Sequence, residues 1–145
     1  VAPARSGTAW HVDPPACSAW LALLSGRKRW AFYPPGRVPP GVKLATNQAD
    51  GTTNIVAPSA LAWFSETYPS LPKHEQPVLE CTQQPGEIVF VPAGWWHVVL
   101  NLEMSVAVTH NYVSDRSLAR LAAAPALGAD YWGGSNFLRN RHRCA

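Results

Sequence analysis

The chain has 145 residues and a mass of 15.8 kDa, which fits a single domain. Hydrophobic residues make up 47% of it and charged residues 14%, so most of the chain is too apolar for intrinsic disorder. The net charge is +3, and without the arginines at positions 139, 141 and 143 the acidic and basic residues balance. This balance argues against a dedicated nucleic-acid groove, and no apolar run reaches the roughly 18 residues of a membrane-spanning helix.

Short segments separated by Pro- and Gly-rich turns make up the first half of the chain. Residues 8–13 predict a strand that ends at Pro14-Pro15, and residues 28–33 predict another. Between them, the apolar residues 18–25 fit either a short helix or a strand. Residues 37–53 are rich in Pro, Gly and polar residues and are interpreted as a loop.

A helix is predicted at residues 58–68, where Leu61, Phe64 and Tyr68 recur at helical spacing. Further strands are predicted at residues 78–83, 87–91, 96–101 and 106–113. Ser114 and Asp115 then resemble the N-cap of a helix over residues 116–123. Many short strands with one inserted helix indicate a mainly β barrel or sandwich of the jelly-roll kind. We interpret residues 1–113 as the β core and residues 114–145 as a C-terminal helix with a basic tail.

Cysteine usage bears on the compartment. Cys17, Cys81 and Cys144 are odd in number and show no C-x-x-C spacing, so they indicate neither a disulfide framework nor a zinc site. We therefore expect an intracellular protein, nuclear or cytoplasmic, and no secretory signal is found at the start. Because the sequence opens on Val1 rather than Met, we expect it to be a piece of a longer protein, truncated at its N-terminus.

Two short motifs together suggest a metal site. In a strand, His11 and Asp13 would point to the same face, and His97 begins another predicted strand after a tight turn. Two histidines and one carboxylate form the facial triad that binds non-haem Fe(II) and leaves positions open for other ligands. A zinc hydrolase would also accept three such ligands and a water, so the residues alone do not decide the metal.

The other histidines and the tryptophans give weaker signals. His74 lies in a polar loop and His142 in the tail, while His110 is expected to pack on the face of its strand opposite Thr109. The aromatic residues are expected to fill the core rather than to form a cage for a methylated cation. They include Trp10, Trp20, Trp30, Trp95 and Trp96.

Longer blocks of sequence resemble a known family. Residues 5–14 (RSGTAWHVDP), 18–20 (SAW) and 26–30 (GRKRW) look like the Jumonji-C family. Residues 85–102 (PGEIVFVPAGWWHVVLNL) and 107–112 (AVTHNY) are similar to the same family. They run close to the branch typified by the lysyl hydroxylase and arginine demethylase once called the phosphatidylserine receptor. The resemblance implies a double-stranded β-helix, or cupin, barrel and an Fe(II)- and 2-oxoglutarate-dependent dioxygenase that consumes O2.

The resemblance also assigns roles to residues. His11, Asp13 and His97 match the iron ligands, and Lys28 matches the lysine that pairs with the far carboxylate of 2-oxoglutarate. Strand alternation would point Lys28 inward and its two arginine neighbours outward. Three further positions match groups that face 2-oxoglutarate or the substrate, namely Thr8, Thr109 and Asn111. The implied substrate is a protein side chain, with hydroxylation favoured over demethylation.

The sequence departs from the branch in two ways. Leu21 stands where the branch carries an asparagine that contacts 2-oxoglutarate, so binding is expected to weaken rather than vanish. Strands and helices that the family carries upstream of this region are not in the sequence. These departures keep open a catalytically weak or inactive cupin-type binding module, and a tRNA-modifying member of the family remains a further alternative. The sequence does not indicate an oligomeric state.

Overall fold

This computed structural model describes residues 1–48 and 53–123, with side chains described as far as residue 119. The strands of this part are β1 Gly7–His11, β2 Cys17–Ser25, β3 Lys28–Tyr33, β4 Lys43–Thr46, β5 Thr53–Val56, β6 Leu79–Gln83, β7 Ile88–Val91, β8 Trp96–Asn101 and β9 Val106–Val113. The helical segments are α1 Ala60–Ala62, a π-helical turn Trp63–Thr67, the 3-10 turns Tyr68–Ser70 and Lys73–Glu75, and α2 Asp115–Ala123.

Two antiparallel sheets form the body of the described chain. One has the strand order β1-β8-β3-β6 and the other the order β7-β2-β9, while β4 and β5 form a separate hairpin. Trp30 and Val99 of the first sheet share a buried cluster with Ala19 and Val91 of the second, so the two sheets lie face to face. This arrangement confirms the predicted mainly β fold of the jelly-roll kind.

Strand β8 lies between β1 and β3, and all six of its residues are buried. Because side chains alternate along a strand, residues 96, 98 and 100 point away from the second sheet. They join an aromatic cluster with Trp10, Tyr33, Trp63 and Phe64. The alternate residues point toward the second sheet, and they are His97, Val99 and Asn101.

The helical segment after β5 covers the aromatic cluster with Trp63 and Phe64. The predicted helix 58–68 is confirmed as a helical region, but it begins at Ala60 because Ser59 is its N-cap and accepts a hydrogen bond from the Ala62 amide at 3.2 Å. It then widens into a π-helical turn. That change lets successive bulky rings reach the same cluster.

The predicted loop 37–53 is wrong at Lys43–Thr46, which form β4 and pair with β5 from Lys43↔Val56 to Thr46↔Thr53. Both strands are short and mostly exposed, so their residues show no apolar alternation. The prolines that precede β4 also favoured the loop interpretation. Residues 18–25, left open between helix and strand, lie in the long strand β2.

The predicted strand 8–13 ends at His11, so Asp13 lies in the turn that leads to β2. Alternation within one strand is therefore the wrong reason for placing His11 and Asp13 on a common face. Pro14 ends the strand early, because the proline ring restricts the residue before it and removes an amide donor. The turn closes with a hydrogen bond from the Cys17 amide to the Pro14 carbonyl at 3.0 Å.

The remaining predicted strands and the C-terminal helix are confirmed within one or two residues. In the described part of the chain, no helix is both long enough and apolar enough to cross a membrane. Residues 124–145, which hold the predicted basic tail, lie outside the described residues.

Candidate metal centre

His11, Asp13 and His97 converge on one point between the sheets. One ligand atom from each lies within 4.8 Å of the others. Nε2 of His11 is 3.9 Å from Asp13 Oδ1, and Nε2 of His97 is 4.0 Å from Asp13 Oδ2. The sequence brings the histidines together because His11 at the end of β1 pairs directly with His97 at the start of β8.

Backbone carbonyls orient both imidazoles. Nδ1 of His11 is 2.8 Å from the Ala9 carbonyl oxygen, and Nδ1 of His97 is 3.2 Å from that of Trp95. A carbonyl only accepts, so each Nδ1 carries the proton and donates it. In the neutral imidazole each Nε2 then carries a free lone pair, and both Nε2 atoms face the Asp13 carboxylate. This tautomer is the one that binds metals through Nε2.

The electrostatics of the cluster fit a cation. Burial and the neighbouring His11 lower the pKa of His97 to about 4, although Asp13 and the Trp95 carbonyl act in the opposite direction. His97 is therefore neutral at neutral pH, which is the form that binds a metal. Oδ2 of Asp13 is buried and has no hydrogen-bond partner among the described residues. A divalent cation at the centre would compensate that carboxylate, so the residues present fit a metal.

Stacked rings fix the position of His97. Its ring lies 6.3 Å from that of Trp30 and 6.4 Å from that of Phe32, with interplanar angles of 24° and 25°. The ring of His11, at the end of β1, lies 4.0 Å from that of His97. Packing of this kind holds a ligand in place before the metal arrives.

A cavity of about 200 Å³ opens beside the triad. Its apolar walls come from both sheets and include Leu21, Trp30 and Val91. The volume equals that of roughly six or seven water molecules in the liquid, enough for a small organic ligand. The three residues predicted to face a co-substrate or substrate all line this cavity, and they are Thr8, Thr109 and Asn111.

Thr109 has a more restricted role than its hydroxyl suggests. Its Oγ1 donates a hydrogen bond to the Trp20 carbonyl at 2.9 Å. The proton is therefore engaged, and only the lone pairs of this oxygen remain for a ligand. Asn111 is two residues further along β9 on the same face, and its amide is the group on this strand that can donate into the cavity.

Lys28 points inward and is buried, as the strand alternation predicts, while Arg27 and Arg29 pair at the surface with Glu103 and Glu80. Burial lowers the pKa of Lys28. The Lys28 ammonium donates to Oδ1 of Asn101, its cross-strand neighbour. Lys28 does not line the cavity itself; it lies one row beyond the cavity-lining pair of Trp30 and Val99.

Sequence reasoning missed two buried polar residues, Asn101 and Gln83. Oε1 of Gln83 accepts from Trp30 Nε1 at 2.9 Å, and Nε2 donates to the carbonyls of Leu21 and Glu87 at 2.9 and 3.0 Å. Gln83 thus connects the two sheets behind the cavity. A signal for Asn101 was present, because it shares the face of β8 with His97, where a polar residue in an apolar strand needs a partner.

Of the tryptophans, Trp30 packs against His97, and the other described histidines are not part of the triad. Trp10, Trp30 and Trp96 are buried in the cores, while Trp20 and Trp95 are half-buried. His110 is exposed, with its ring 6.3 Å from that of Trp20. His74 is exposed in a 3-10 turn, and His142 lies outside the described residues.

Two facing antiparallel sheets that enclose a two-histidine, one-carboxylate cluster define the class of cupin-type β proteins with a candidate mononuclear metal centre. Residues 1–112 match the family described as "JmjC domain, hydroxylase". The chain belongs to the JmjC domain family, as the sequence resemblance predicts.

Curated relatives are similar over most of this chain. It is 50% identical over 133 residues to the lysine-specific demethylase JMJ21 of Arabidopsis thaliana, covering 92% of this chain and 14% of that protein. It is 46% identical over 121 residues to the bifunctional arginine demethylase and lysyl-hydroxylase psr-1 of Caenorhabditis elegans, covering 80% and 29%. The mouse 2-oxoglutarate and iron-dependent oxygenase JMJD4 is 31% identical over 119 residues, covering 82% and 26%. The chain thus spans less than a third of the length of each of these relatives.

Solved structures with a similar backbone include the ribosomal oxygenase YcfD of Escherichia coli. In two structures of that protein the TM-scores are 0.43 and 0.44, and the sequence identities are 16% and 18%. The matches cover 87% and 83% of this chain, and 25% and 27% of the YcfD chain.

Proposed function

We propose that this chain carries the core of an Fe(II)- and 2-oxoglutarate-dependent dioxygenase that acts on a protein side chain. The observation that carries the proposal is the convergence of His11, Asp13 and His97, with a buried and unpartnered carboxylate oxygen, at the wall of a cavity. The relatives support it, because one is named as a 2-oxoglutarate and iron-dependent oxygenase and another as an arginine demethylase and lysyl hydroxylase.

In this proposal the triad binds iron through Nε2 of each histidine and the Asp13 carboxylate. The bound metal, with 2-oxoglutarate and O2, supplies the oxidation of a substrate C–H bond, with release of succinate and CO2. The chain contributes orientation and exclusion of water. The carbonyls of Ala9 and Trp95 keep the imidazoles in the binding tautomer, and the apolar walls limit solvent in the cavity.

The co-substrate would bind with its far carboxylate toward Lys28. A dianion buried between the sheets needs a cation, and Lys28 is the buried cationic side chain on the cavity side of β3. Asn111 would donate from the opposite sheet and the Thr8 hydroxyl from β1, while Thr109 lines the cavity and would donate to the co-substrate only on releasing the Trp20 carbonyl. Leu21 presents an apolar wall where the related branch carries a polar contact.

We favour hydroxylation over demethylation as the outcome. A cage for a methylated cation needs several rings around one point. Two tryptophans border the cavity, but Trp30 stacks on Phe32 and is tied to Gln83, and the Trp20 ring lies beside His110. The substrate is proposed to be a basic side chain of an intracellular protein, nuclear or cytoplasmic.

Anaerobic titration with Fe(II) and 2-oxoglutarate tests the proposal. The wild-type chain should develop a weak visible absorption band when both are present and neither alone should produce it. The His97→Ala variant should not develop the band. If wild type gives no band and produces no succinate, the proposed activity is wrong and the result supports the binding-module alternative.

Mass spectrometry of Lys- and Arg-rich peptides, incubated with the protein, Fe(II) and 2-oxoglutarate, tests the substrate. The gain of one oxygen on a lysine or arginine would support a protein hydroxylase. Formaldehyde with the loss of a methyl group would replace hydroxylation by demethylation. Modification of a tRNA but of no peptide would favour the tRNA-modifying alternative.

A further inference from the structure

A chain of hydrogen bonds connects Lys28 to the N-terminal segment. The Lys28 ammonium donates to Oδ1 of Asn101, Nδ2 of Asn101 donates to Ser6 Oγ at 2.8 Å, and Ser6 Oγ donates to the Pro3 carbonyl at 2.6 Å. All three hydrogen bonds point in the same direction, from donor to acceptor, and the last acceptor is a backbone carbonyl, which can only accept. The Asn101 amide therefore has one orientation, with its oxygen facing Lys28.

The backbone holds Asn101 in the same place. The backbone N–H of Asn101 donates to the Ser6 carbonyl at 2.8 Å, and the backbone carbonyl of Asn101 accepts from the Arg5 N–H at 2.7 Å. Both the side chain and the main chain of Asn101 are thus paired with the segment that enters β1. Asn101 itself is 3% exposed, so water does not compete for these bonds.

The partner of Lys28 is neutral. The adjacent Arg27 and Arg29 take the nearby carboxylates of Glu103 and Glu80, and within the described residues no carboxylate oxygen lies within 4.0 Å of the Lys28 ammonium. Lys28 is 7% exposed. An amide oxygen accepts a proton from the ammonium but supplies no counter-charge, and a buried positive charge without a counter-ion is costly.

We propose that Asn101 is a positioning residue, which holds the Lys28 ammonium oriented and without a counter-ion beside the cavity and so sets the affinity for the dianionic co-substrate. This inference rests on the proposed function. An amide at this position satisfies one proton of the ammonium but leaves its charge for an incoming carboxylate. An aspartate of the same shape would neutralise that charge internally.

The Asn101→Asp variant tests the proposal directly. Its dissociation constant for 2-oxoglutarate, measured anaerobically by tryptophan fluorescence with Mn(II) at the metal site, should rise at least about tenfold over wild type. The turnover rate at saturating 2-oxoglutarate should stay within about twofold, because the metal ligands are unchanged. Leu102→Asp is the matched control, since it adds the same charge one residue later at a position that is 38% exposed. It should leave the dissociation constant unchanged.

A second measurement needs no co-substrate. The pH dependence of chemical labelling of the Lys28 amine, followed by mass spectrometry, should move to higher pH in Asn101→Asp, because a carboxylate stabilises the ammonium. Ser6→Ala is the milder variant. It releases the Asn101 amide from its fixed orientation and should weaken 2-oxoglutarate binding by a smaller factor, even if Asn101→Asp fails to fold.

The outcomes separate the two proposals. If wild type binds no 2-oxoglutarate, the proposed function fails, while the labelling of Lys28 still tests the contact with Asn101. If wild type binds 2-oxoglutarate but Asn101→Asp and Ser6→Ala bind it equally well, the role of Asn101 is overturned and the proposed function stands. If Leu102→Asp raises the dissociation constant as much as Asn101→Asp does, the effect comes from the added negative charge alone. That result would also overturn the role of Asn101.

Discussion

Asp13 brings a largely buried carboxylate into the candidate site. One of its carboxylate oxygens is buried without a hydrogen-bond partner in the described structure, and the neighbouring His97, neutral at neutral pH with Nδ1 on the Trp95 carbonyl, offers it a lone pair rather than a proton. A carboxylate in such surroundings destabilises the metal-free fold. The side chain is thus suited to binding a cation rather than to holding the fold together.

Replacing Asp13 by Asn should therefore separate binding from stability. The affinity for Mn(II), measured by calorimetry, should fall by about a hundredfold or more, since a charged ligand is lost. The thermal midpoint of the metal-free variant should equal or exceed that of wild type, because the shape is kept and the buried charge is removed. A large drop in that midpoint would show that the carboxylate has a structural partner.

Leu21 gives a second residue-scale prediction. Leu21→Asn should restore a donor at the cavity wall and tighten 2-oxoglutarate binding about two- to tenfold, the range of one hydrogen bond. The measurement is the concentration of 2-oxoglutarate that half-saturates succinate production. Leu21→Ala is the control, because it opens space without adding a polar group. Equal tightening by both variants would assign the effect to space alone.

At the scale of elements, Gln83 of β6 connects the two sheets through three hydrogen bonds. Gln83→Ala should lower the free energy of unfolding by about 2 kcal/mol, since it leaves the Trp30 indole N–H unpaired in the interior, while the Glu87 carbonyl keeps the Leu23 amide as its donor at 3.1 Å. Urea denaturation measures this. Gln84→Ala is the matched control, because the neighbouring side chain is exposed, and it should change stability by less than about 0.5 kcal/mol.

The elements also show how far the sequence could be interpreted. Strands such as β3 and β8 were predictable because dense apolar residues follow a Gly-containing turn, and Pro34 also ends β3. The hairpin of β4 and β5 was not, since its strands are short, polar and paired mainly with each other. Asp13 was predicted as a metal ligand from strand alternation with His11, but a turn rather than strand alternation brings it beside the two histidines. Gln83 could not be identified because two of its three partners, Trp30 and Leu21, are distant in sequence.

At the scale of the whole molecule, alkaline pH tests how tightly the aromatic core is closed. Burial is the main cause that raises the pKa of Tyr33 to about 12 from 10.0, and Arg37 acts against it. The folded state therefore holds the phenol proton more tightly than the unfolded chain. That stabilisation is complete below pH 10 and is lost as the pH rises through 12.

The free energy of unfolding should accordingly fall between pH 10 and pH 12 more steeply in wild type than in Tyr33→Phe. Chemical denaturation at a series of pH values measures both slopes. Because lysines and cysteines titrate in both proteins, the difference between the slopes isolates Tyr33. Identical slopes would mean that the ring is open to solvent.

The alternation of β8 couples the candidate metal centre to global cooperativity. His97 faces the cavity, while its neighbours Trp96 and Val98 belong to the aromatic cluster on the other side of the same sheet. Exposing His97 by local fraying would require this central strand to leave both of its neighbours. Metal binding should therefore slow backbone amide hydrogen exchange across β1, β3 and β8 together, and loss of the metal should be governed by the same rare opening that unfolds the sheet.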